Sequence, residues 1–399
     1  MTTIRGLLFG VATLALGFGA IPAHAADPGI TDKEIKIGMF SPMSGQLASF
    51  GLDPLQAARM WYEEINKKGG IHGRKISVIA EDSKASPQES VAIAKKFVTV
   101  DNVFLIHGGS ASAEAVAIQE YVTREKIPHV MINAAGDVAV IPPTRYVFGA
   151  FGGTQRTVGG SIMEFSIKQL GGKRIAYLTH DDDFGTANTV TAQAVAKRMG
   201  AEIVALEKVG VRTTDVTAPM LNVRAARPDV IICTFYPQVS PLVAQKYAEF
   251  GMTMPVVTAV QGIPVPAVFA KNVGNDAALK NFYYGSPLND LTDGPKQQKW
   301  ISLYKSYYPD RTPGAFMTYG LPSAMAITMA LEKAGKNVTR ESFVDAMETL
   351  NFDSDVVAGP IAFAKDRRDA HRASVFVKFD GVKHTLQPGT YFWDGKDGM

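Results

Sequence analysis

Short runs of apolar residues that favour β-strands alternate along the chain with longer segments that carry apolar residues at helical spacing. Residues 35–40 form a run of the first kind, and residues 54–66 form a segment of the second kind, which Gly69 and Gly70 end. We predict further elements in the same order: strands at 75–80, 103–106 and 129–132, and helices at 86–98 and 113–124. This alternation predicts a parallel sheet covered by helices on both faces.

A second unit of the same plan begins near residue 150. Its predicted helices are 154–170, 184–199, 217–227 and 239–250, and its predicted strands are 174–178, 202–206, 230–234 and 255–258. The remainder is predicted as a strand at 282–286, helices at 294–307, 315–334 and 340–349, and antiparallel strands at 361–363 and 374–379. Because this last block has no sheet plan of its own, we expect it to complete the two earlier units.

The chain is then expected to cross between the two units three times. The crossings fall near residues 149–154, 285–289 and 357–360, where glycine and polar residues suit hinges. A chain of 399 residues also exceeds one ordinary core and fits two domains. The predicted fold class is α/β, with two doubly wound parallel-sheet lobes joined by three hinge crossovers. The predicted division is 26–150 plus 287–357 for lobe 1 and 151–286 plus 358–399 for lobe 2.

The first 25 residues have the layout of a secretory signal peptide. Arg5 is their only charge, an apolar run follows at 7–18, and Ala23-His24-Ala25 supplies small residues at the cleavage site. The alternative is a membrane anchor, but the run is shorter than the ~20 residues that a span needs. We therefore expect cleavage near Ala25/Ala26 and a periplasmic mature protein.

Charge and cysteine content exclude some function classes. The 41 Lys and Arg and the 38 Asp and Glu are interspersed, so no basic stripe predicts nucleic-acid binding. The single cysteine, Cys233, lies in an apolar run that reads as a buried strand, and it cannot form an internal disulfide. We expect it to be an inert core residue.

Polar loops follow the predicted strands at the edge where open α/β sheets bind ligands. They are 41–51, 107–112 and 133–137 in the first unit, and 179–185, 235–238 and 259–262 in the second. Ser110 or Ser112 lies where a helix begins, and backbone N–H groups there favour an anion such as a carboxylate. The alternative role for either serine is a plain N-cap. The second unit adds aromatic and acidic residues, so the loops suit a small molecule with an anionic end.

Several short motifs recur in a recognisable order. They are Ser41-Pro42-Met43-Ser44-Gly45, Phe50-Gly51, Gly108-Gly109-Ser110-Ala111-Ser112, Lys126-Ile127-Pro128, Asp183-Phe184-Gly185 and Tyr236-Pro237. Together they resemble the substrate-binding proteins of ABC transporters for branched-chain amino acids, of the type I periplasmic-binding-protein fold, over nearly all of the mature chain. The resemblance implies a monomeric periplasmic component of an ABC importer. It would capture a branched-chain or other amino acid, or an aromatic or aliphatic acid, by hinged closure and deliver it to the permease membrane subunits.

The resemblance also implies roles for residues of the first unit. Ser112, with Ser110 as the near alternative, corresponds to the serine that holds the ligand carboxylate. Ala135 and Asp137 fall where the loop after the fourth strand helps to hold carboxylate and ammonium. The loop from Ser44 to Phe50 covers the ligand side chain.

In the second unit the resemblance places Phe184 and Tyr236 in the pocket, and Gln261 where an acidic residue pairs with the ligand ammonium. Gln261 is a departure, and so is Asp137, where threonine is usual. Either Asp137 or an acid of the 181–183 run supplies the missing charge, or the ligand has no ammonium and is an aromatic or aliphatic carboxylate or a small amide.

Catalytic and cofactor functions are not expected. His107, Ser110 and Asp137 could suggest a hydrolase triad, but the chain has no Gly-x-Ser-x-Gly elbow. The acidic run after His180 lacks the ligand spacing of a metal loop, and no strand-to-helix loop carries Gly-x-Gly-x-x-Gly. We expect no enzyme activity, metal or cofactor. The alternative function is an extracytoplasmic sensor for small amides or acids that acts through a separate signalling partner.

Overall fold

A computed structural model describes most of the chain. The described residues are 27–45, 47–134, 137–151, 155–210, 212–235, 238–259, 266–291, 294–314 and 316–392. The predicted signal peptide lies outside them. Among the described residues, none of the helices combines the length and the apolar character that a membrane span requires.

The first unit is a five-stranded parallel sheet with helices between its strands. The strands are β1 Glu34–Ser41, β2 Lys75–Asp82, β3 Leu105–Gly108, β4 His129–Met131 and β5 Val147–Gly149. The helices are α1 Ala48–Lys67, α2 Pro87–Thr99, α3 Ser112–Arg124 and α4 Asp137–Val140. The strand order is β2-β1-β3-β4-β5, and all neighbours are parallel. The predicted alternation of strands and helices is therefore confirmed for this unit.

The second unit repeats this plan. Its helices are α5 Gln155–Lys168, α6 Asp183–Met199, α7 Thr217–Ala226, α8 Ser240–Glu249 and α9 Pro266–Val273. Its strands are β6 Arg174–His180, β7 Glu202–Val209, β8 Val230–Thr234, β9 Val256–Thr258 and β10 Phe282–Ser286. Every residue of β8 is buried, as expected for a parallel strand covered on both faces. Burial raises the pKa of the Cys233 thiol on this strand, which keeps the sulfur protonated.

The C-terminal block is shared between the two units. Its helices are α10 Pro295–Tyr307, α11 Leu321–Ala334 and α12 Arg340–Met347. Its strands are β11 Asn351–Phe352, β12 Ile361–Ala362, β13 Ala373–Phe379, β14 His384–Leu386 and β15 Tyr391–Phe392. The second sheet has the order β14-β13-β10-β9-β8-β6-β7, with β13 antiparallel to β10 and paired with β15.

One boundary differs from the sequence-based expectation. Ile361, Phe363 and Ala370 belong to the hydrophobic core of the first unit, and Asp369 bridges Gly149 at the end of β5. Residues 361–370 therefore pack with the first sheet, whereas the sequence predicts that 358–399 join the second lobe. The reason is tertiary, because only the contacts of this segment decide which core buries it.

Helix α1 begins six residues before the predicted start at Pro54. Proline has no N–H to donate to the carbonyl four residues earlier, which normally disfavours a position inside a helix. That carbonyl belongs to Phe50, and it accepts a hydrogen bond from Asn133 Nδ2 at 3.1 Å instead. A side chain from the loop after β4 thus replaces the missing helical bond and anchors the start of α1.

Candidate functional site

The carboxyl ends of β1 and β3 carry a buried polar network at the start of α3. Ser41 Oγ lies 2.5 Å from Ser110 Oγ. Glu114 reaches back to accept hydrogen bonds from the backbone N–H groups of Ser110 (3.1 Å) and Ala111 (2.9 Å), and it also accepts one from the Ser83 hydroxyl. Burial raises the pKa of Glu114, and these hydrogen bonds oppose that shift. The carboxylate therefore occupies part of the positive helix start.

The two serines proposed for the ligand carboxylate have different surroundings. Ser110 is 1% exposed, and its hydroxyl contacts Ser41. Ser112 is the first residue of α3 and is half-buried. The N-cap position between them is Ala111, which makes no side-chain cap hydrogen bond. Neither serine therefore occupies the N-cap position of α3.

The loop after β1 is held to the end of β2. Ser44 is exposed, and its hydroxyl donates to Asp82 Oδ2 at 2.6 Å, while the Met43 N–H donates to Oδ1 at 2.9 Å. Burial opposes ionisation of Asp82, but these hydrogen bonds outweigh it and lower its pKa. Phe50, at the other end of the loop, is half-buried and packs edge-to-face on Phe316, with ring centroids 4.9 Å apart.

An ion pair joins the two units near the first crossing. Asp137 begins α4, which follows β4 of the first sheet, and Arg156 is the second residue of α5 in the second unit. Arg156 Nε lies 3.2 Å from Asp137 Oδ2. Only 8% of the Asp137 side chain is exposed, whereas 23% of the Arg156 side chain is exposed. Arg156 was missed from the sequence because a lone arginine after a crossing has no motif.

Two of the acids after β6 contact residues of the second unit itself. Asp182 is the N-cap of α6 and accepts a hydrogen bond from Gly185 N at 2.9 Å. Asp181 is exposed, and its carboxylate lies 3.8 Å from Lys208 Nζ. Phe184 is buried at the start of α6. Of the predicted pocket residues, Ala135, Tyr236 and Gln261 lie outside the described residues, so their roles stay predictions.

The structure does not assemble a hydrolase triad at His107. Its Nδ1 lies 2.8 Å from the Tyr62 hydroxyl, and its Nε2 lies 2.8 Å from Ser323 Oγ. Burial, with a smaller effect of His129, lowers the pKa of His107 to about 3, so the ring is neutral. His107 is a buried structural hydrogen-bonding residue. Within the described part of the chain, no group of three or more His, Cys, Asp or Glu side chains is arranged to hold a metal ion.

Two α/β units, each with polar loops at the carboxyl ends of its parallel strands, define a solute-binding architecture. Residues 34–383 match the family described as periplasmic binding protein, and the chain belongs to that family. This confirms the family that the motifs indicate and its type I fold.

Relatives and solved structures of this family are similar over nearly the whole chain. The Leu/Ile/Val-binding protein homolog 7 of Brucella abortus (strain 2308) is 24% identical over 379 residues, which are 92% of each chain. The branched-chain amino acid transporter substrate-binding protein LivJ of Streptococcus pneumoniae, in complex with isoleucine, superposes with a TM-score of 0.73 at 21% identity and covers 90% of this chain and 99% of its own. A solute-binding protein of an ABC transporter from Rhodopseudomonas palustris BisB5, in complex with 3,4-dihydroxybenzoic acid, superposes with a TM-score of 0.72 at 21% identity. The match covers 90% of this chain and 97% of that protein. At these identities the solved structures show the shared fold.

Proposed function

We propose that this protein is the periplasmic solute-binding component of an ABC importer and captures a small carboxylate-bearing ligand between two lobes without chemical change. The observation that carries the proposal is the Asp137–Arg156 contact at 3.2 Å. It joins the ligand-binding edges of two units that keep separate hydrophobic cores. Such an arrangement lets two rigid bodies open and close about the crossings, and a ligand that contacts both bodies favours closure.

The proposed lobes follow the predicted division with one change. Lobe 1 comprises 26–150 and 287–370, and lobe 2 comprises 151–286 and 371–399. The third crossing then falls at 371–372 instead of 357–360, because residues 361–370 pack in the core of the first unit. Residues near 287 and 358 remain neighbours beside the crossings, since Ala358 N donates to the Pro287 carbonyl at 2.8 Å.

A carboxylate on the ligand is supported by the start of α3. Ser112 is half-buried there and can offer a hydroxyl beside the positive end of the helix. The two solved neighbours named above are complexes with isoleucine and 3,4-dihydroxybenzoic acid, and both compounds carry a carboxylate. The proposed partners are therefore a small organic acid or amino acid and the membrane subunits of a permease, with the binding protein acting as a monomer.

Binding and closure can be tested together on the mature protein. Isoleucine and 3,4-dihydroxybenzoate are screened by thermal shift, beside other amino acids and aromatic or short-chain acids, each against its neutral amide. A ligand at 100 times its dissociation constant stabilises the folded state by ~2.7 kcal/mol. Small-angle scattering should then show a smaller radius of gyration with the stabilising acid. Stabilisation without compaction would contradict the hinged mechanism, and no stabilisation by any acid would contradict the ligand class.

A further inference from the structure

The Asp137 and Arg156 side chains differ in exposure. Both carboxylate oxygens of Asp137 are buried, and 8% of the whole side chain is exposed. The Arg156 side chain is 23% exposed at the N-terminus of α5, where the helix dipole adds positive potential, although its Nε is buried. Of these two side chains, a ligand that enters beside the pair therefore meets the arginine more readily than the buried carboxylate.

Three acids at neighbouring strand ends are engaged within their own units, whereas Asp181 is exposed and lies 3.8 Å from Lys208 Nζ. Glu114 is fully buried and accepts hydrogen bonds from Ser110 and Ala111. Asp82 accepts hydrogen bonds from the loop after β1, and Asp182 accepts one from Gly185. Using any of these three carboxylates for a ligand ammonium would break a hydrogen bond that the fold already makes, which disfavours that use.

We propose that Arg156 selects the charge of the ligand, so that the protein takes small carboxylic acids without an α-ammonium group and rejects amino acids of the same carbon skeleton. This inference rests on the proposed function. A guanidinium matches a carboxylate with two parallel N–H donors. It repels an ammonium that lies nearer to it than to the Asp137 carboxylate, and both charges act more strongly when lobe closure removes water. Asp137 is the positioning residue, because it holds the guanidinium at the junction of the units.

The selection is measured with pairs of ligands that differ only in the amino group. The probes are 4-methylpentanoate against leucine, and 3-phenylpropanoate against phenylalanine, titrated calorimetrically into the mature wild-type protein. We expect each acid to bind at least about tenfold more tightly than its amino acid, which corresponds to about one charge-assisted hydrogen bond. The neutral 4-methylpentanamide measures binding of the skeleton alone.

Variants then assign the effect to Arg156. Arg156→Gln should weaken the binding of 4-methylpentanoate by about 10- to 100-fold and change the affinity for 4-methylpentanamide by less than about twofold. Arg124→Gln is the matched control, because Arg124 is the last residue of α3, is exposed and contacts Glu125 and the Tyr121 ring on its own helix end. Arg156→Lys keeps the charge but loses the paired donors, so it should retain the preference for the acid with weaker binding. If Arg156→Gln does not fold, the affinities of Arg156→Lys for the acid and the amide test the role of Arg156 instead.

The possible outcomes separate this inference from the proposed function. Amino acids that bind as tightly as the deaminated acids would overturn the inference and leave the proposed function standing. Equal acid affinities in Arg156→Gln and Arg124→Gln would overturn the role of Arg156. If neither member of either pair binds, the proposed function fails and the inference fails with it.

Discussion

Ser41 Oγ and Ser110 Oγ lie 2.5 Å apart and connect the end of β1 to the end of β3. Ser110 is buried, so its hydroxyl fixes the relative position of two strands beneath the start of α3. Ser112 lies two residues further along, at the first position of the helix. The two serines that the sequence left as alternatives therefore have different surroundings, and we propose Ser112 for ligand contact.

Replacing the two serines should therefore have different effects. Ser110→Ala removes a buried hydrogen bond and should lower the free energy of unfolding by about 1 kcal/mol, measured by urea denaturation. Ser112→Ala should weaken a carboxylate ligand by about 1.5–3 kcal/mol, measured by calorimetry. Unchanged ligand affinity in Ser112→Ala would move the ligand contact to Ser110 or remove it.

Two adjacent aspartates should differ in their effect on stability. Asp182 caps α6 through Gly185 N, so Asp182→Ala should lower the free energy of unfolding by about 1 kcal/mol. Asp181 is exposed and lies 3.8 Å from Lys208, so Asp181→Ala should change the free energy of unfolding by less than about 0.5 kcal/mol. Urea denaturation of both variants measures the difference. Equal losses would mean that the cap contributes nothing.

Acid should destabilise the protein through its buried histidines. Burial lowers the pKa of His107 to about 3, from 6.5 for the free side chain. Below pH 6.5 the unfolded chain takes up a proton at His107 that the folded chain does not. The contribution of this site to the free energy of unfolding is therefore complete above pH 6.5 and is lost as the pH falls toward 3. Between pH 7 and pH 5 the loss from His107 is up to about 2 kcal/mol. Denaturation curves at several pH values measure this loss.

A matched pair of variants isolates that effect. His107→Asn lowers stability at every pH because it disrupts the bonds to Tyr62 and Ser323, but it should flatten the pH dependence by up to about 2 kcal/mol. His72→Asn, at an exposed residue, is the comparison variant that measures the effect of removing a histidine from the surface. If the free energy of unfolding depends on pH in the same way in His107→Asn as in the wild type, then the pKa of His107 does not differ between the folded and unfolded states.

Gln261 tests the same charge selection from the second unit. The resemblance predicts that this position holds the ligand ammonium when it is acidic, so Gln261→Glu should raise the affinity for leucine and lower that for 4-methylpentanoate. Calorimetric titration of both ligands measures the change, and Gln238→Glu offers a comparison at an exposed position of the same unit. If the affinity for leucine does not rise in Gln261→Glu, this position does not supply a counter-charge to the ligand ammonium.

Much of the fold could be predicted because its elements depend on local pattern. The mostly apolar run that forms β8 and the helical spacing of α1 can be recognised without knowledge of distant contacts. The start of α1 could not be predicted from local pattern. Asn133, which is distant in the chain, donates the hydrogen bond to Phe50 that replaces the one Pro54 cannot make. The sequence places residues 361–370 with the second lobe, whereas Ile361, Phe363 and Ala370 pack in the core of the first unit, a contact that depends on residues far away in the chain.

The sequence by itself determined the doubled α/β plan, the loops that carry polar chemistry and the family to which the chain belongs. These depend on periodicity and on short motifs, which lie in consecutive residues. Only the tertiary structure brought Arg156 to Asp137 across the first crossing, tied Ser110 to Ser41 and engaged Glu114 and Asp182 within their own units. The charge that a ligand meets depends on which ionised groups remain accessible after such pairing. Pairing and burial are set by residues far apart in the chain.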